Sequence, residues 1–204
     1  WWLFRTRDFI PEYDKIYCVS EPVRKQVIAR FPELADRTEV LLNFIDIKQV
    51  QRRSEEPLSD PQYTGELKFL TVGRASEEKG YDIAVQITAE LKKRGLRFKW
   101  FIIGDGRDLN KLRTMAKEYQ VEQEIIFLGM RENPAPYVKS CDLYLQPSRH
   151  EGYPITIVEA RSLQKVIIAS DIPSMREQIR DGENGYLCPL DVMQFADKIQ
   201  KVLA

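Results

Sequence analysis

Glu151 and Glu159 stand eight positions apart around Gly152-Tyr153-Pro154 in a chain of 204 residues. A carboxylate accepts hydroxyl hydrogen bonds, so two of them around a helix start can hold one ligand from both flanks. Pro154 suits the first turn of a helix, where its missing N–H costs little, and Gly152 lets a backbone or ligand come close. The N–H groups that follow, at Ile155 and Thr156, have no acceptor within a helix and face outward as an anion site. Two cations suit the same anion. Arg74 and Lys79 flank a tight loop that begins at Gly73, and a guanidinium fork, an ammonium and a helix N-terminus together suit a diphosphate. An anion with hydroxyls on both flanks describes a nucleotide sugar.

Other constellations fail. Gly104-Asp105-Gly106 opens like a dinucleotide fingerprint, but its third glycine would fall at Leu109. These glycines are expected to make a tight turn. Gly129-Met130-Arg131 follows a strand and is either a simple turn or a backbone that reads a base edge. His150, the single histidine, forms neither a metal site nor a triad. Tyr153 is either a core aromatic or a wall of the ligand pocket. Lysines and arginines total 31, as do aspartates and glutamates, and this neutrality argues against nucleic acid as a partner. The basic run at 92–99 is a solvated helix end. Cys18, Cys141 and Cys188 have neither metal nor disulfide spacing, which implies a reducing compartment. No apolar run reaches the roughly 18 residues that a membrane helix needs.

Short apolar runs alternate with amphipathic stretches and place these groups. Strand, helix and strand are expected at 13–20, 21–31 and 38–42, with Ser20 as helix cap and Pro22 in the first turn. Residues 51–66, polar and carrying Pro57 and Pro61, read as a linker holding the domain boundary. From residue 67, strands at 67–73, 98–103, 124–128, 143–146 and 166–169 are separated by helices, with a last short strand at 186–188. Helices between strands impose parallel pairing and right-handed crossovers. The fold class is therefore α/β, a doubly wound parallel sheet of Rossmann-like type, with ligands at the carboxyl ends of the strands. The chain thus divides into residues 1–50, a linker at 51–66 and a larger domain at 67–204.

Several segments in order carry a family resemblance. They are Val72-Gly73-Arg74 with Glu78-Lys79-Gly80, Ile103 to Gly106, Phe127-Leu128-Gly129, residues 148–160, and Asp181-Gly182-Glu183-Asn184-Gly185-Tyr186. Together they resemble the retaining glycosyltransferases of family 4, which face two Rossmann-like domains across a cleft (the B-type fold). The resemblance covers residues 13–204 and implies the donor-binding half of such an enzyme, with 67–204 as its nucleotide-sugar domain and 1–50 as a remnant of the N-terminal acceptor domain. It assigns the donor diphosphate to Gly73, Arg74 and Lys79, the ribose to Glu159, and the transferred sugar to Glu151. Gly152, Tyr153, Pro154, Ile155 and Thr156 would meet phosphate and sugar, and Gly129, Met130 and Arg131 would line the base.

The implied reaction moves a sugar from a nucleotide-diphosphate donor, UDP- or GDP-linked, to an acceptor hydroxyl with retention of configuration. It uses no metal and no other cofactor. Arg74, Lys79 and helix N–H groups would stabilise the leaving diphosphate, with Glu151 still open as a nucleophile. The family works in cell-surface polysaccharide or glycolipid synthesis, in the cytoplasm or at the inner face of the membrane. A glycan or lipid-linked acceptor would bind the absent first domain, so these residues alone are expected to be inactive. The start at Trp1 suggests a piece of something longer. Trp1, Trp2, Phe4 and the apolar face of the 21–31 helix should then have packed on the absent part. The alternative is a non-catalytic nucleotide- or partner-binding module on the same fold.

Overall fold

The structure, a computed structural model, describes residues 13–204. Trp1, Trp2 and Phe4 lie outside the described residues. The chain divides into two compact units between Phe44 and Ile45.

In the smaller unit, β1 (Ile16–Cys18) pairs in parallel with β2 (Thr38–Val40). Helix α1 (Glu21–Arg30) joins them through a 3-10 turn at Pro32–Arg37. Ser20 caps α1, its Oγ accepting from the Val23 N–H at 3.4 Å, and Pro22 takes the first turn. Val27 and Phe31 are buried against Cys18 and Leu34. The apolar face of α1 therefore has an internal partner, unlike the expectation that it awaits an absent sheet. The exposed apolar side chains lie instead at Tyr17, Leu41 and Phe44, the last 88% exposed.

The larger unit begins with α2 (Ile47–Ser54), capped by Asp46, which accepts from the Gln49 N–H at 3.0 Å. The boundary thus precedes the 51–66 segment, and that segment is helical as far as Ser54. Its polar residues suggested a solvated linker, but they make directed bonds. Arg53 donates to the Glu132 carbonyl at 3.1 Å, and Asn133 donates to Glu56 at 2.7 Å. Arg131 pairs with Asp60 at 2.7 Å.

Six parallel strands form the sheet: β3 (Lys68–Val72), β4 (Lys99–Ile103), β5 (Ile125–Gly129), β6 (Leu143–Gln146), β7 (Val166–Ser170) and β8 (Tyr186–Cys188). Their order is β5-β4-β3-β6-β7-β8, the reversal of direction that defines a doubly wound sheet. Alternate side chains feed two cores, as the pleat requires. Phe69, Trp100 and Ile102 pack beneath α3 (Tyr81–Lys93), α4 (Leu109–Glu118) and α8 (Val192–Leu203). Leu70, Phe101 and Tyr144 pack beneath α5 (Ala135–Ser140), α6 (Ile155–Ser162) and α7 (Pro173–Arg176). Burying one such aromatic contributes roughly 1.5–3 kcal/mol. Thr71, the buried polar residue of β3, is satisfied by Trp100 Nε1 at 2.9 Å and by the Leu145 carbonyl.

The Gly104-Asp105-Gly106 turn braces the loop after β3. A Cβ on Gly104 would lie 2.0 Å from the Gly73 carbonyl oxygen, and one on Gly106 would lie 2.3 Å from that of Ala75. The Ala75 N–H donates to the Asp105 carbonyl at 3.0 Å. Only glycines allow this approach.

Candidate functional site

β3 and β6 are neighbours where the strand order reverses. The chain leaves β3 for α3 on one face of the sheet and leaves β6 for α6 on the other. A crevice must open between the two outgoing loops.

The loops are clamped to each other. Gly80 takes a left-handed φ of +67°, and a Cβ there would meet the Pro147 carbonyl oxygen at 1.9 Å. The N–H groups of Arg149 and His150 donate to the Glu78 carbonyl at 2.8 and 3.2 Å. The Arg149 guanidinium forks onto Asp82 at 2.7 and 2.6 Å and also reaches the Glu77 carbonyl at 2.9 Å. This fork holds the Asp82 carboxyl below its ordinary range.

In the crevice, Lys79 Nζ donates to Glu151 at 2.7 Å (Oε1) and 3.0 Å (Oε2). Oε1 also accepts from Gln146 Nε2 at 2.9 Å and Ser148 Oγ at 2.7 Å. The Glu151 side chain is 8% exposed, and Gln146 and Ser148 are buried. Arg74 is exposed and has no ion pair or side-chain hydrogen bond among the described residues. The cleft of about 650 Å³ is lined by Arg74, Ser76, Lys79, Arg107, Glu151 and Gly152, with Glu78 and His150. The expected cations and Glu151 are therefore brought together.

Glu159 faces elsewhere. It lines a hollow of about 250 Å³ with Arg53, Gln49, Asn133 and Ala135. Burial pushes its carboxyl up, and nearby Arg53 opposes this only in part. The two glutamates thus line two separate hollows rather than one. Tyr153, Pro154, Ile155 and Thr156 line neither of them. Pro154 immediately precedes α6, its carbonyl accepting from Gln178 Nε2 at 3.4 Å, and Thr156 Oγ1 is buried beside Tyr144. Gly129 and Met130 line neither hollow, and Met130 is 72% exposed. The Arg131 side chain is taken up by Asp60, Tyr137 at 3.1 Å and the Leu128 carbonyl. Burial pushes the Asp60 carboxyl up, but hydrogen bonds from Arg131, the Gln62 N–H and Tyr137 outweigh it and leave it below its ordinary range.

Gln146, Ser148 and Arg107 were not singled out in the sequence. The signal was present for the first two, because a buried strand that ends Leu-Gln-Pro-Ser carries polar groups that must find partners. Among the described residues no group of three histidine, cysteine or acidic side chains could hold a metal ion. The three cysteines are free and buried. No helix among the described residues is long and apolar enough to cross a membrane.

Residues 53–204 match the sequence profile of the glycosyl transferases group 1. The chain belongs to this glycosyltransferase family. It is 29% identical over 193 residues to an uncharacterized glycosyltransferase of Methanocaldococcus jannaschii, covering 92% of this chain and 45% of that protein. It is 29% identical to the lipopolysaccharide 1,6-galactosyltransferase of Salmonella typhimurium, covering 91% and 51%. The chain spans about half the length of the curated relatives it matches. Among solved structures, TarM of S. aureus superposes with a TM-score of 0.82 at 20% identity, over 98% of this chain and 39% of that one. Anabaena HepE, solved with UDP, superposes at 0.79 and 20% identity over 93% and 54%. These likenesses establish the Rossmann-like half of a B-type glycosyltransferase fold.

Proposed function

We propose that these residues form the donor half of a retaining, family 4-type glycosyltransferase whose whole form moves a sugar from a nucleotide diphosphate to an acceptor hydroxyl. The observation that carries this reading is the clamped crevice at the strand reversal, where Arg74, Lys79 and Glu151 share one cleft of about 650 Å³. A diphosphate there meets an unpaired guanidinium and an ammonium fixed in place, which stabilise negative charge as it develops on the leaving group. These cations supply the charge that a metal ion would otherwise bring, so the reading is metal-independent. Glu159, in the other hollow with Asn133 and Arg53, suits ribose hydroxyls. A donor long enough to span both hollows reconciles their separation.

HepE was solved with UDP, and the Salmonella relative is a galactosyltransferase of lipopolysaccharide. The first supports a nucleotide-linked donor, and the second a glycan or lipid-linked acceptor. The acceptor would bind a second domain, and sugar transfer by these 204 residues alone is expected to be undetectable. Radiolabelled UDP-sugars and GDP-sugars, incubated with a lipid acceptor pool, test this. Incorporation by the 204-residue chain would contradict the two-domain reading.

A further inference from the structure

We propose that Glu151 is a positioning residue that fixes the Lys79 ammonium for a diphosphate. The inference rests on the donor-site reading above. Glu151 Oε1 accepts three hydrogen bonds, from Lys79, Gln146 and Ser148, and Oε2 accepts one from Lys79. Oε1 is thus saturated by donors that belong to the protein. The side chain is 8% exposed, so the pair is held largely out of bulk water.

The same geometry defines what the carboxylate does. An ammonium has three N–H groups. Two of them are directed at Glu151, and the third remains for the cleft that Lys79 lines. A lysine on its own four-carbon stem would sample many rotamers and would hold a phosphate poorly. Here the carboxylate removes that freedom before any ligand arrives. The cradle behind it is fixed in turn, because Gln146 Nε2 donates to Ser148 Oγ at 2.9 Å and Ser170 Oγ donates to the Ser148 carbonyl. The arrangement is preorganised for an anion although its nearest carboxylate is negative.

That last point sets the test, since the two accounts differ in sign. If Glu151 were only a nearby charge or a sugar contact, removing its charge should leave diphosphate binding unchanged or tighten it. If it positions Lys79, removing its charge should weaken binding. Calorimetry on the 204-residue chain would compare UDP and GDP with uridine and guanosine, for the parent, Glu151→Gln, Lys79→Ala and the double variant. We expect each single variant to lose about 10- to 150-fold in diphosphate affinity, the scale of one charge-assisted hydrogen bond. The double variant should be no weaker than Lys79→Ala, because both changes remove one interaction. Nucleoside affinity should not move.

An unchanged or tighter diphosphate affinity in Glu151→Gln, or losses that multiply in the double variant, would overturn the positioning role while leaving the donor site standing. A parent that binds neither UDP nor GDP would overturn the donor-site reading, and this inference with it. Should Glu151→Gln lose cooperative unfolding, Ser148→Ala takes its place, because it removes one donor to Oε1 and keeps the charge. It should weaken diphosphate binding about two- to threefold, as expected for one neutral donor, and an unchanged affinity would overturn the proposal.

Discussion

The carbonyl oxygen of Pro147 lies 1.9 Å from where a Cβ on Gly80 would sit, and Gly80 has a φ of +67°. The contact joins the loop after β3 to the loop after β6, the two walls of the crevice. Gly80→Ala should therefore suffer twice, from the left-handed backbone, about 1–2 kcal/mol, and from a clash with main chain that cannot swing away. Gly95, with a φ of +79° and nothing within 4 Å, supplies the control. Urea unfolding should show Gly80→Ala losing at least about 2 kcal/mol more than Gly95→Ala. Equal losses would mean that the two loops are not packed as described.

Arg74 and Lys79 should separate in stability while agreeing in binding. Arg74→Ala, at an exposed side chain without an ion pair among the described residues, should change unfolding free energy by no more than about 0.5 kcal/mol. Lys79→Ala strands a carboxylate that is 8% exposed and should cost roughly 1–3 kcal/mol. Both should weaken diphosphate binding by ~1.5–3 kcal/mol, with nucleoside binding unchanged. Chemical denaturation and calorimetry on the same samples measure the two effects, and a destabilised Arg74→Ala would return that residue to a structural role.

Glu159 carries a pH signature. Burial raises its native carboxyl above the ordinary value of 4.5, so the folded state holds the proton more tightly than the unfolded chain. Stability from this group is complete below the unfolded value and is lost as pH rises through the raised native one. Glu159→Gln should accordingly be more heat-stable than the parent at pH 7, with the advantage vanishing below about pH 4. The same variant should bind a ribonucleotide ~1–3 kcal/mol more weakly, and a dideoxyribose analogue equally well. Melting curves across pH that run parallel for parent and variant would remove the argument from burial.

The repeating elements were legible because each strand is a short apolar run between helices, and runs such as Phe98 to Ile103 admit few other readings. Ser20 as a cap and the crevice cations Arg74 and Lys79 were legible for the same reason: local residue type dictates local geometry. Residues 51–66 misled because polar side chains look solvated until their partners are known, and Asp60 finds Arg131 from 71 positions away. Gly104 and Gly106 were expected in a tight turn, and residue type could not show that this turn braces the Gly73 and Ala75 backbone. Glu151 was expected before the helix start and Glu159 on its second turn, flanking one ligand. What residue types could not show is that the two carboxylates line different hollows, because that depends on Arg53 and Asn133 packing beside Glu159.

The central claim is that Arg74 and Lys79 hold a nucleoside diphosphate at the strand reversal without a metal ion. Calorimetric titration of the 204-residue chain with UDP and GDP, in chelator and then with excess magnesium or manganese, tests it most directly. The account predicts saturable binding of at least one of the two in chelator, unchanged by either cation and weakened by Arg74→Ala. Binding that disappears in chelator and returns with the metal, or that ignores Arg74→Ala, would contradict it.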